Sequence, residues 1–202
     1  MRIGRIVISI LLTLALLCGV ASAEDLTSVI IDSRTAQSFT DEAVSAEDLS
    51  LILEAGLSAT SAINQQPWYF AVVTNREVMD EIKGSAGGFG GGAKAGLGDA
   101  PVAIIVYMNE ATASPNAAFD CGLACENMFI AAKALGYGAK IISSPTMRLN
   151  GGDHDALCGK LGVDPSYSAV AVLLVGHEDA STDATSGASV RSDIGEKVSF
   201  VK

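Results

Sequence analysis

Residues 117–135 constrain this chain more than any other stretch. They read AAFDCGLACENMFIAAKAL, with Phe119, Leu123, Met128, Phe129 and Ile130 spread around a helical wheel and alanine filling the gaps. A helix that is apolar nearly all round belongs in a core or in a subunit interface. Gly136-Tyr137-Gly138 stops it. The preceding run 101–108 (PVAIIVYM) is apolar enough to be a strand covered on both faces. A short strand follows at 139–143. A helix and a strand that both demand cover imply an α/β or α+β domain built around a central sheet.

The other segments fit that plan. Ser45-Ala46-Glu47-Asp48 is a capping box, with Ser45 as N-cap and Asp48 in the position that reaches back. Leu49, Ile52, Leu53 and Leu57 then recur at helical spacing, and the helix ends near Gly56. Residues 68–74 (WYFAVVT) predict a buried strand, 76–83 and 153–161 short helices, and 168–176 (SAVAVLLVG) a fourth strand. Residues 179–189 read as an exposed polar loop and 190–202 as an arm of no assigned structure. There is no internal repeat.

The first 23 residues carry a different message. Arg2 and Arg5 form a basic opening, 6–17 is an apolar run, and Ala21-Ser22-Ala23 supplies small residues before Glu24-Asp25. That order predicts a signal peptide cleaved after Ala23; an uncleaved N-terminal anchor is the alternative. The run is short for a bilayer span, which needs roughly 20 residues. Leu17 stands before Cys18 where a lipid-attachment motif wants a small residue. The expectation is one exported domain, 24–202, periplasmic or extracellular, with no stable membrane span after cleavage. With 13 basic against 23 acidic residues, the surface repels phosphate backbones and argues against nucleic-acid binding. The cysteines left after cleavage (Cys121, Cys125, Cys158) are read as small buried side chains.

Much chemistry is excluded by missing parts. The chain has two histidines, His154 and His177, no H-x-x-x-H and no paired C-x-x-C, so no metal site is expected. No G-x-S-x-G elbow occurs. The glycine-dense stretch 86–98 is not a phosphate loop: Ala93 and Ala95 flank Lys94 where that motif needs Gly and Ser or Thr, and a strand follows instead of a helix. It reads as a flap of the kind that covers small-molecule sites. A chain with so little acid–base equipment needs a cofactor for any difficult step.

Two segments carry a resemblance. Ser33-Arg34-Thr35-Ala36-Gln37-Ser38-Phe39, followed by Asp41, Val44 and the capped helix, is similar to the opening R-R-S-x-R-x-F of FMN-dependent nitroreductases. Ser61-Ala62-Ile63-Asn64-Gln65-Gln66-Pro67-Trp68, directly before a strand, resembles that family's P-S-x-x-N-x-Q-P-W. Agreement continues through Ala100-Pro101, Asp120 and Asn127 in the long helix, Leu135-Gly136-Tyr137-Gly138, Val175-Gly176 and a late Arg191.

The resemblance implies an α+β (α/β-type) fold, a central mixed sheet flanked by helices, in a homodimer with FMN at its interface. The segment of Arg34, Thr35 and Gln37 then faces the cofactor from one subunit and that of Ser61, Ala62 and Asn64 from the other, with Arg191 a further candidate for the phosphate. Ser143 and Ser144 offer backbone N–H groups near the reactive nitrogen. No side chain is catalytic in its own right; the flavin carries the chemistry, with NAD(P)H as the donor and a nitroaromatic, quinone or similar small molecule as the acceptor, reduced by a ping-pong route. Physical chemistry supports parts of this: a guanidinium holds phosphate in bidentate fashion, and an amide has both donor and acceptor for the flavin's polar edge. Taken alone, Arg34 reads equally as a surface ion pair, Asn64 as a turn residue, and Trp68 as core. Ser33, Gln37 and Ser189 are neutral where the family is basic. A member that binds flavin or another ligand without turnover is the alternative function.

Overall fold

The computed structural model describes residues 23–83, 99–112, 115–179, 181 and 191–201. The 1–22 part of the expected signal, the flap at 86–98, and most of the polar loop, Ser189 included, lie outside the described residues. The chain divides into two units, Met1–Ser33 and Arg34–Lys202. In the first, α1 (Ala23–Asp32) forms over a stretch free of Gly and Pro. It begins at the expected cleavage point, and the Ser33 hydroxyl donates to the Val29 carbonyl. No helix of the described residues is long and apolar enough to cross a membrane.

The second unit contains α2 (Ala46–Leu57), β1 (Trp68–Val73), α3 (Arg76–Lys83), β2 (Val102–Asn109), α4 (Ala117–Ala134), β3 (Gly138–Ile142), α5 (Thr146–Leu149), α6 (His154–Leu161), β4 (Tyr167–Gly176) and α7 (Ile194–Lys197). The four strands form one sheet in the order β1-β2-β4-β3. The expectation of a mixed sheet gives way here, because every neighbouring pair is antiparallel. The reason is topological. β2 and β3 run the same way, joined by α4 as a crossover, but β4 inserts between them and pairs antiparallel with both.

Alternation along the strands sorts side chains to two faces. On β2, Val102, Ile104 and Val106 meet α2 and α4 through Ile52, Ala124 and Met128. Ala103, Ile105 and Tyr107 pack with Met79, Ile82, Leu149 and Leu157 from α3, α5 and α6. β2 is therefore covered on both sides, as its composition predicts. α4 buries one face through Cys121, Ala124, Cys125, Met128 and Ala132, while Phe119 is 66% exposed. Its C-terminus closes as a Schellman motif: Gly136 takes φ 87, Tyr137 N–H donates to Ala132 and Gly136 N–H to Lys133. α2 lies so close to α4 that a Cβ on Gly56 would sit 2.7 Å from Met128 Cγ.

Candidate functional site

The segment Arg34–Thr40 is threaded along the sheet end where β3 starts and β4 finishes. Ala36 N–H donates to the Ala139 carbonyl, Thr40 N–H to His177, and Asp179 N–H to Ser38. Phe39 bridges to Glu178 and is buried, as is Ala36. These ties fix the backbone and leave Arg34 and Thr35 exposed. Gln37 lies half-buried, its amide donating back to the Thr35 carbonyl at 3.1 Å. Ser143 and Ser144 are exposed just past the other end of β3, and the Ser143 carbonyl accepts from Thr146 N–H and Oγ1. From Ala139 to Ser143 an extended strand covers about 13 Å.

Residues 61–66 form a second feature, a tight turn ahead of β1. Among the described residues the non-glycine positions with positive φ are Ile63 (48°), Asn64 (58°) and Gln66 (46°), all in this turn. Such conformations cost free energy and concentrate where geometry serves a purpose. Ser61 Oγ accepts from Gln66 N–H at 3.0 Å, and Asn64 Oδ1 accepts from the Gln66 amide at 3.0 Å. Asp120 Oδ2 accepts from Ala62 N–H at 3.1 Å. Gln65 Oε1 is a buried acceptor without a hydrogen-bond partner among the described residues. Trp68 is core: it is buried and stacks on Phe70.

Within one chain the two features are far apart. Ala139 is in register with Val175 and so with Val102, whereas Trp68 is in register with Met108. Six strand residues separate those levels, about 20 Å. The structure thus ties the segment of Arg34, Thr35 and Gln37 to the start of β3, while the far end of β3, where Ser143 and Ser144 follow Ile142, lies toward the Trp68–Met108 end of the sheet, the end at which the turn with Ser61, Ala62 and Asn64 enters β1. Arg191 is exposed directly after 182–190, which lie outside the described residues.

Sequence reasoning overlooked the role of Asp120 and of Tyr137. The signal for Asp120 was legible: it shares the helical face of Ala124 and Met128, so an acid occupies a core position. Tyr137 Oη donates to Asp48 Oδ2 at 2.7 Å and accepts from Ser45 N–H at 3.4 Å. The capping box is real on one side, Asp48 N–H donating to Ser45 Oγ at 3.0 Å. On the other, Tyr137 comes between the Asp48 carboxylate and the N-cap amide.

Among the described residues the cysteine thiols are not placed as nucleophiles. Cys121, Cys125 and Cys158 are free and buried. Burial, with the Asp120 charge behind it, pushes the Cys121 thiol up to about 12, and burial raises Cys125 to about 12 as well. His154 is half-buried: Nδ1 lies 2.7 Å from the Leu149 carbonyl and Nε2 2.9 Å from the Pro165 carbonyl. The His177 ring packs against Tyr137 at a tilt of 58°, centroids 4.9 Å apart, and its Nε2 lies 3.6 Å from Glu42 Oε1. Among the described residues no cluster of His, Cys, Asp or Glu could hold a metal ion.

Comparison with known proteins agrees with this geometry. The chain aligns with a protein provisionally named NADH dehydrogenase/NAD(P)H nitroreductase from Methanothermobacter thermautotrophicus at 34% identity over 60% of this chain. The alignment spans 62% of that relative and 66% of a protein of the same name from Archaeoglobus fulgidus, so the chain spans less than two thirds of the curated relatives it matches. Its fold matches the crystal structure of a nitroreductase with bound FMN from Desulfitobacterium hafniense DCB-2, with TM-score 0.75 and 25% identity over 88% of this chain and 98% of that one. A structure from Desulfovibrio desulfuricans, provisionally named a nitroreductase and in complex with FMN, is 30% identical with TM-score 0.69, covering 88% and 96% of the two chains. Residues 30–90 and 88–177 match the profile of the nitroreductase family, and the chain belongs to it.

Proposed function

We propose that the protein is an exported FMN-dependent oxidoreductase. It takes electrons from NAD(P)H and passes them to a nitroaromatic, quinone or similar small acceptor in two separate half-reactions. The observation that carries the reading is the strained turn at 61–66, which spends conformational energy to present Asn64. The donor set fits FMN. Arg34 and Thr35 are an exposed cation and hydroxyl suited to a phosphate, in a chain with a net charge of −10. Gln65 Oε1 is a buried acceptor that lacks a donor among the described residues.

The Arg34 segment and the 61–66 turn stand at opposite ends of the sheet in one chain, which supports a homodimer whose partner supplies the turn. Bound FMN would supply the redox chemistry. Arg34, Thr35 and Arg191 would neutralise its phosphate. Ser61 and Asn64 of the second subunit would orient the polar edge of the ring, and the Ser143 and Ser144 amides would stabilise charge there. The protein's contribution is orientation and electrostatics. The basic opening and apolar run of the leader support export.

A second reading, flavin binding without turnover, draws on Gln37. It is neutral and folded back on Thr35, so no cation is offered at that position. Purified residues 24–202 decide between them. The proposal expects a yellow protein near one FMN per chain that bleaches with NADH or NADPH and recovers on adding a quinone. A yellow protein that no donor bleaches supports the second reading, and a colourless protein that ignores added FMN contradicts both.

A further inference from the structure

Asp120 is the one buried charged side chain among the described residues, at 3% exposure. A buried carboxylate is costly unless it is satisfied, and no ion pair among the described residues includes it. Its position in the first turn of α4 offsets part of that cost through the helix dipole. Its recorded hydrogen bond leads to Ala62 N–H, in the turn that carries Ser61 and Asn64. That turn is otherwise tied mainly to itself, through Ser61–Gln66 and Asn64–Gln66. Ile63 is 89% exposed at φ 48, so a β-branched residue bears backbone strain with no burial in return.

We infer that Asp120 is a positioning residue: its carboxylate anchors Ala62 and thereby holds residues 61–66 in the strained shape that presents Ser61 and Asn64 to the cofactor. This rests on the flavin reading above. Asp120→Asn keeps an oxygen acceptor at the same place, whereas Asp120→Ala removes it.

The test combines amide hydrogen exchange of 61–66 in flavin-free protein with FMN titration. Asp120→Ala should speed exchange in the turn and weaken FMN affinity about tenfold or more, the loss expected for one hydrogen bond to a charged group. Asp120→Asn should restore slow exchange and bring affinity back to within about threefold of wild type. Asn64→Ala should cost much less affinity beside Asp120→Ala than alone, because the two act through one turn. Unchanged exchange in Asp120→Ala, an Asn variant as poor as the Ala variant, or additive costs with Asn64→Ala would overturn the inference. If Asp120→Ala does not fold, Asp120→Ser, too short to reach Ala62, carries the same expectations. A wild type that binds no FMN would fail the functional reading alone; the exchange comparison would still decide whether Asp120 holds the turn.

Discussion

Tyr137 donates a 2.7 Å hydrogen bond to the Asp48 carboxylate, joining the residue that ends α4 to the cap of α2. This bond, followed by one from Ser45, holds the Asp48 carboxyl below its ordinary range. A depressed carboxyl stabilises the fold above its unfolded pKa and loses that contribution as pH falls through the folded one. Tyr137→Phe should therefore melt lower than wild type near neutrality, and the gap should narrow in acid. Thermal melts at pH 7 and pH 3 read the difference; a gap that widened in acid would contradict it.

His154 carries the opposite sign. Both ring nitrogens face backbone carbonyls, of Leu149 and Pro165. Only the doubly protonated ring donates to both. These carbonyls raise its pKa, the Leu149 one most, and Asp155 and Glu110 add to the shift against the effect of burial. Stability from a raised group is full below the unfolded pKa and fades as pH rises through the folded one. His154→Gln should cost more at pH 5.5 than at pH 9 in urea unfolding. An equal cost at both would show that the ring is held neutral.

Gly176 is required by space. A Cβ there would lie 2.5 Å from Pro101 Cδ and 3.1 Å from Phe39 Cδ1, and the proline ring cannot turn aside. Gly176→Ala should destabilise the fold by about 1–3 kcal/mol, read from denaturant midpoints. It should also loosen FMN binding, since Phe39 anchors the segment that bears Arg34.

Arg34 is exposed at the start of that segment. Arg34→Ala should lower FMN affinity about ten- to a hundredfold and leave the melting point of the flavin-free protein nearly unchanged. Arg34→Lys should recover part of the affinity, because it restores charge without the bidentate fork.

The strands were legible in the sequence because β-branched runs such as 102–106 have few other ways to be buried. α4 was legible in extent but not in burial: periodicity cannot tell a core face from a partner-facing one, so Phe119 was expected to be covered and stands exposed. Sheet direction was hidden, since chain order does not reveal that β4 enters between β2 and β3. The short α5 and α7 are single turns with no periodicity to read. The motif residues were visible, yet the shape of their turn was not. Ile63 and Gln66 adopt φ values that local preference opposes, the kind of conflict a functional site sustains.

In the proposed homodimer each flavin site joins Arg34 of one chain to Asn64 of the other. Mixing Arg34→Ala protein with Asn64→Ala protein under subunit exchange tests it most directly. Each variant alone should bind FMN weakly at every site. A mixed dimer pairs both lesions in one site and leaves the other intact, so an equal mixture should regain tight FMN binding at about one quarter of its sites. No recovery on mixing, with exchange verified, would contradict the account.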